Sequence, residues 1–489
     1  MLLTLGEQGP LYRRVYQALR QAILDGRLRA GARLPGTRSL ARELGVSRIV
    51  ALAAFEQLAA EGYIVSRVGS GSRVAVQVPR PAASRAATAS PQARRPRLTA
   101  YAKRAQALAP HAAAASSAAA AGGVIDFHYA GTAPDARTLR LWRQALARAA
   151  AAPPVSYPDA AGFAALRGHI AAYLRQQRGV QAQAEDLLVV NGSQQALDLV
   201  SRLLCGEGSR VGIEDPHYQG ARQAFLAAGA RLVPCAVDGE GLDIERHAQR
   251  LRGARALYLT PSHQFPTGAI MSVERRLRLL RWAAQRGAWV IEDDYDSEFR
   301  YGVGAVPALQ GLDRAGRVLY LGTFARSLFP GLRLGYLVVP PPLREAFRAA
   351  KWLADRGSAP LEQRALAAFF ESGAYDNARR RAARSLELKR QALLEALRAR
   401  FDGSELQCAG AASGTHLYLR LPRLPAARAA EFLEHALRCG VRLYDSRAYH
   451  LRPPRQAALI CGYTTVAPGE IAAGVERLQR AWRSFAGRR

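Results

Sequence analysis

The side chains best able to do chemistry in this chain cluster in its C-terminal two thirds. Gly192-Ser193-Gln194 follows the apolar run Leu187-Leu188-Val189-Val190, so a strand turns through glycine into a helix. The first N–H groups of such a helix have no partner inside it, and its dipole adds positive character, which suits a phosphate. Thr323 offers a hydroxyl and Arg333 a two-pronged guanidinium to the same anion. Asp293 ends a second apolar run, Trp289-Val290-Ile291, where a buried carboxylate is costly unless paired. Arg326 stands in Gly322-Thr323-Phe324-Ala325-Arg326-Ser327-Leu328. A guanidinium stays protonated at any pH a protein survives and has no free lone pair with which to attack a carbonyl. The set reads as an anion-binding site without an amine nucleophile.

A second group is basic and N-terminal. Leu11 to Leu24 carries Val15, Leu19 and Ile23 at helical spacing, and Asp25-Gly26 ends that helix. Ala41 and Gly45 then have the spacing of a helix-turn-helix: the small Ala41 allows close approach and Gly45 makes the turn. Ser47 is placed to cap a helix running from Arg48 to Leu58, with Leu44, Val46, Val50 and Leu58 as core. Glu61–Val65 and Arg73–Val76 read as two strands, with Gly69-Ser70-Gly71 at the tip of a β-wing. A recognition helix enters the major groove by its N-terminal end, so Ser47 and Arg48 are the candidates to face DNA.

Length and composition bound the rest. The 489 residues suffice for two or three domains, and 49% are hydrophobic. Lys and Arg number 69 against 39 Asp and Glu, a net charge of +30, which fits a polyanionic partner. Residues 1–79 contribute +6, residues 80–123 contribute +7 with no acid among them, and the remainder contributes +17. Only Lys103, Lys351 and Lys389 are lysines, so part of the arginine excess is a general replacement of lysine. Five scattered cysteines lack metal or disulfide spacing and suit a reducing cytoplasm. The first residues have no charged region ahead of an apolar run, and no stretch of about 20 apolar residues predicts a membrane span.

Three segments are expected: a DNA-binding domain over 1–79, a basic Ala/Pro-rich linker over 80–123, and a large domain over 124–489. The linker has little large apolar content, with a short alanine-rich helix near 104–121 as the alternative. Beyond 124, the short apolar runs at 187–190, 210–213, 256–259, 289–291 and 318–321 alternate with helical patterns. They predict a mostly parallel sheet between helices. From about 345, a basic helical stretch and an α+β pattern predict a smaller lobe.

The N-terminal run resembles the GntR-type winged helix over about 65 residues. The resemblance is carried by Ile23-Leu24-Asp25-Gly26-Arg27-Leu28, Gly31-Ala32-Arg33-Leu34-Pro35, Leu40 through Arg48, and Glu61-Gly62-Tyr63. It implies that Arg38 contacts DNA and that the wing, Arg67 with Gly69 and Gly71, reaches the minor groove. That family usually has a polar residue after the arginine of the recognition helix; here Ile49 and Leu52 are apolar.

The large domain resembles the fold-type I aminotransferases, which use pyridoxal phosphate (PLP). Tyr157-Pro158-Asp159, Asn191 through Leu197, Glu214-Asp215-Pro216-His217-Tyr218, Thr260 through Gly268, Ile291 through Phe299 and the Arg326 segment carry it. The two together resemble the MocR/GabR subfamily of GntR regulators. By that resemblance Asp293 pairs with the pyridine nitrogen, Tyr295 with the ring hydroxyl, and Tyr218 stacks on the ring. Gly192, Ser193, Gln194, Thr323 and Arg333 hold the phosphate, and Tyr157 reaches it across a homodimer interface. Arg326 stands where the family has the lysine that condenses with PLP. The expectation is a cytoplasmic regulator that binds an operator in double-stranded DNA. Its large domain senses a small effector, PLP or a relative, held noncovalently. Active transamination, or a large domain that only dimerises, are the alternatives.

Overall fold

The computed structural model describes residues 5–6, 9–67, 71–77, 97–109, 123–129, 132–152, 156–302 and 306–486. The chain divides into two compact units, Met1–Arg97 and Leu98–Arg489. In the first, helices α1 (Leu11–Leu24), α2 (Thr37–Leu44) and α3 (Arg48–Ala60) precede an antiparallel pair, β1 (Ile64–Arg67) and β2 (Gly71–Val74). Val15, Leu19 and Ile23 of α1 meet Leu40 and Ala41 of α2 and Ala51, Phe55 and Leu58 of α3 in one core. The second strand begins two residues earlier than the sequence pattern predicts, because pairing of Arg67 with Gly71 closes the hairpin there.

The second unit opens with α4 (Ala100–Leu108), which corrects the expectation of a linker over all of 80–123. Arg104 Nε donates to the Ala227 carbonyl at 3.0 Å, and Gln223 Nε2 donates to the Leu108 carbonyl at 3.0 Å. These bonds fix the helix to the helix Gln219–Ala227. The alternative reading of a helix near 104–121 overlaps only its second half; residues 110–122 lie outside the described ones.

The strands that follow are β3 (Ile125–Asp126), β4 (Leu187–Val190), β5 (Arg210–Asp215), β6 (Arg231–Asp238), β7 (Gly241–Leu242), β8 (Ala254–Leu259), β9 (Trp289–Asp294), β10 (Val318–Thr323) and β11 (Gly335–Val338). Eight of them form one sheet in the order β4-β11-β10-β9-β8-β5-β6-β7. β10, β9, β8, β5 and β6 are parallel, whereas β11 runs against both β10 and β4. β4 therefore points the same way as β10. The ends of β4, β8, β9 and β10 lie along one edge, the edge at which open parallel sheets bind ligands. Both faces are covered, which explains the unbroken apolar runs: β4 and β10 are buried throughout, and β9 at all but its first residue.

The smaller lobe carries β12 (Gln407–Ala409), β13 (His416–Pro425), β14 (Val441–Arg442), β15 (Tyr444–Asp445) and β16 (Gln456–Gly462). Its four-stranded sheet runs β12-β13-β16-β15, and β14 pairs with β3. Leu417, Leu419, Leu459, Phe432 and Trp482 fill its core. The basic helical stretch expected beyond about 345 includes the long helix Ala374–Arg400. No helix among the described residues is long and apolar enough to cross a membrane.

Candidate DNA interface and ligand cavity

In the winged unit, Gly45 ends α2 in the left-handed region at φ 64°, and the Val46 N–H returns to the Ala41 carbonyl at 3.0 Å. That turn sets the entry to α3. The Ser47 hydroxyl oxygen accepts from the Val50 N–H at 3.3 Å, so the expected cap is formed. Arg38, Ser47 and Arg48 are all exposed. Gly71 opens β2 at φ 82°, opposite Arg67. Gly69 and the Arg67 side chain lie outside the described residues.

In the large unit the informative feature is the triplet Glu292-Asp293-Asp294 in β9. Alternation along a strand sends the outer two to one face and Asp293 to the other. Glu292 lies 3.7 Å from Arg276 and accepts the N–H groups of Leu309 and Gln310. Burial pushes its carboxyl up to about 7. Burial acts on Asp294 in the same sense, but the Arg178 charge and the Tyr320 hydroxyl outweigh it and hold the group below the ordinary range. Arg178 Nε donates to Asp294 at 2.9 Å, and the Tyr320 hydroxyl at 2.5 Å. Asp293 has no such cation. Its Oδ2 accepts from the Tyr258 hydroxyl at 2.7 Å, while Oδ1 is buried without a hydrogen-bond partner. Burial pushes Asp293 up to about 7, against the Tyr258 hydrogen bond and the charge of Arg326.

Asp293 opens into a cavity of about 350 Å³. At one end lie Gly192 and Ser193, where the helix Ser193–Leu204 begins without a side-chain cap, so its first N–H groups stay available. Gly192 adopts φ 79°, and a Cβ there would meet the Arg333 guanidinium at 3.0 Å. Arg333, itself left-handed at φ 52°, donates to the Asn191 carbonyl at 3.2 Å and lines the same end together with Thr323. Glycine at 192 and the arginine fold over it thus form a single cradle.

Tyr295, Tyr218, Phe265 and Tyr129 line the rest. His263 Nδ1 lies 3.0 Å from Asp296 and 2.9 Å from the Tyr295 hydroxyl. A carboxylate only accepts, so the hydrogen-bond network assigns the proton to Nδ1. The Tyr295 oxygen then accepts from it and keeps its own hydrogen for the cavity. Burial, with the nearby Asp296, raises the Tyr295 pKa well above 10, which preserves that donor. Burial and Asp293 raise Tyr218 as well. Arg326 lines the cavity, donates from Nη1 to the Tyr129 carbonyl at 2.6 Å, and lies 6.0 Å from the Tyr295 ring centre. His263, Asp296 and His416 offer atoms within 4.8 Å of one another, but His263 Nδ1 is already shared, and His416 Nε2 is engaged by the Pro266 carbonyl.

The aminotransferase class I and II family matches residues 128–459, and the bacterial gntR regulatory family matches residues 11–74. The chain is 38% identical to the probable rhizopine catabolism regulatory protein MocR of Rhizobium meliloti, over 97% of this chain and 94% of that one. It is 33% identical to the transcriptional regulator TauR of Rhodobacter capsulatus, over 98% of each. The chain belongs to the GntR-type transcription regulators that carry an aminotransferase-like domain. Among solved structures, LysN, the α-aminoadipate aminotransferase of Thermus thermophilus, superposes with a TM-score of 0.70 at 30% identity. The match covers 80% of this chain and 98% of that one, and LysN was solved with N-(5'-phosphopyridoxyl)-L-leucine.

In this regulator Gly192, Ser193, Tyr218, Asp293, Tyr295, Thr323, Arg326 and Arg333 share one cavity. The expected contact of Gln194, its backbone N–H, lies in the first turn of the helix Ser193–Leu204, with the side chain turned away to the Gly220 carbonyl at 3.1 Å. Tyr157 does not line the cavity within a single chain. Tyr157 is 76% exposed beside Arg356. Lys351 and Lys389 are also absent from the cavity lining: Lys351 is bound to Asp355 and Ser358, and Lys389 to the Thr464 carbonyl. Tyr258, Tyr129 and His263 escaped the sequence reading. A tyrosine in the buried strand β8 must find a hydroxyl partner, a rule that flags Tyr258 as needing one without naming Asp293.

Proposed function

We propose that the large domain of this DNA-binding regulator takes PLP, or a compound with the same phosphate and pyridine, without covalent attachment. Occupancy would bias how a homodimer engages its operator. The carrying observation is the partnerless Asp293 Oδ1, buried in a cavity that also holds an uncapped helix start. A pyridine nitrogen bearing a proton satisfies that oxygen, and a phosphate satisfies the Gly192–Ser193 turn, Thr323 and Arg333. Tyr295 would donate to the ring hydroxyl, Tyr218 would cover a ring face, and Tyr157 would serve the phosphate site of a partner subunit. PLP supplies an aldehyde and an electron-withdrawing ring. Arg326, at the position of the family's lysine, leaves that aldehyde unlinked. On the DNA side, Arg38, Ser47, Arg48 and the wing of Arg67, Gly69 and Gly71 are the proposed contacts, in a domain ending near residue 79. A cytoplasmic site of action follows from that role. A ligand moves such a system only through different affinities for its two states.

The test is PLP titration of the full chain and of Arg326→Lys, each with and without borohydride. The expected outcome is reversible binding to the wild type, removable by dialysis, and borohydride-fixed PLP at position 326 only in the variant. Absence of binding to both proteins overturns the proposal. The second reading, an active transaminase, draws on 34% identity to the 2-aminoadipate transaminase of Thermus thermophilus over 67% of this chain. Steady turnover of an amino acid by the wild type would establish it.

A further inference from the structure

Helix α3 divides its residues between two faces. Ala51, Ala54, Phe55 and Leu58 are buried in the winged unit. The opposite face presents Arg48, Ile49, Leu52 and Glu56, all exposed. Ile49 is 79% exposed and Leu52 44% exposed, three residues apart and therefore side by side on the helix surface. Neither belongs to the unit's core. They follow directly on the Ser47 cap, in the turn that an entering helix carries deepest into a groove.

We infer that Ile49 and Leu52 are specificity-determining residues that read thymine, by seating against its 5-methyl group in the major groove. The occupant follows from charge and shape. Arg48 directly precedes Ile49 on α3, and α2 adds Arg38 and Arg42, all exposed, so the helix-turn-helix offers charge to phosphate beside an apolar pair. The major groove offers one apolar group on its base edges, the thymine methyl. Glu56, about one turn beyond Leu52, repels phosphate and confines close approach to the N-terminal part of the helix. Arg48 would supply the polar contact beside the methyl. The inference rests on α3 being the helix that enters the groove.

The experiment uses the full-length protein. An operator is first selected from random duplex DNA. Each thymine is then replaced singly by deoxyuridine, which deletes the methyl and nothing else. At one or two positions the wild type should lose roughly three- to ten-fold in affinity. In Ile49→Ala or Leu52→Ala the matching uridine should cost nothing further. Both side chains are exposed, so neither variant threatens the fold. Arg48→Ala separates the two levels of failure. If it binds as the wild type does, α3 is not the reading helix. If it loses binding but no thymine is methyl-sensitive, or the sensitivity survives both alanine variants, the apolar pair covers something else. Either result overturns the inference.

Discussion

The winged unit and the ligand cavity hold their functional charges in opposite ways. Arg38 and Arg48 stand exposed in water, with no ion pair among the described residues. Asp293 is sealed against Tyr258, with one oxygen partnerless and its carboxyl pushed up to about 7. A charge left in water costs the fold little and acts through a field that salt screens. A charge taken out of water costs the fold free energy until a partner arrives, so its presence speaks for a partner. The neighbours of Asp293 make the same point internally: Glu292 and Asp294 are equally buried, and each has an arginine.

Asp293→Ala removes the buried charge outright. PLP affinity should fall by about 2–4 kcal/mol, or roughly thirty- to a thousand-fold. DNA affinity without ligand should stay unchanged in a gel-shift titration. Equal PLP binding by both proteins would remove the buried carboxylate from the site. Next in size, Arg48→Ala should weaken operator binding by about 1–3 kcal/mol. If Arg48 also neutralises a phosphate, the slope of log affinity against log salt should become shallower by about one. A salt-independent loss would mean that the arginine acts by shape alone.

The smallest effect concerns stability. Asp293 holds its proton to a higher pH when folded than when unfolded. Between about pH 4 and pH 7 the folded state binds more protons, so stability falls as pH rises through that window. Asp293→Asn removes the titration while keeping an acceptor for Tyr258. The variant should therefore be more stable than the wild type at pH 8, by about 1–2 kcal/mol. The gain should fade toward pH 4. Thermal unfolding at the two pH values reads it, and a gain independent of pH would refute the burial argument.

What the sequence made legible follows from the range of the interactions. The Ser47 cap, the Gly45 turn and the strand carrying Asp293 are local, and spacing reveals them. Arg326 could be placed because its motif is contiguous. Tyr258 was missed because its role depends on which strand lies beside β9. Tyr129 was missed because it meets Arg326 across 197 residues of chain. The linker was drawn too long because composition registers an alanine-rich basic stretch, whereas the docking of α4 depends on Arg104 finding a distant carbonyl.

The chain's three lysines have unequal surroundings. Lys351 is fully buried against Asp355, Lys389 is half-buried on the Thr464 carbonyl, and Lys103 alone stands exposed. To an amine-selective reagent the folded protein is therefore nearly blank. An aldehyde or activated ester should mark Lys103 among its side chains and leave Lys351 untouched. The same scarcity makes the molecule a quiet background for mass spectrometry. A probe fixed to a lysine newly placed at position 326 would appear on a peptide that carries no label in the parent protein.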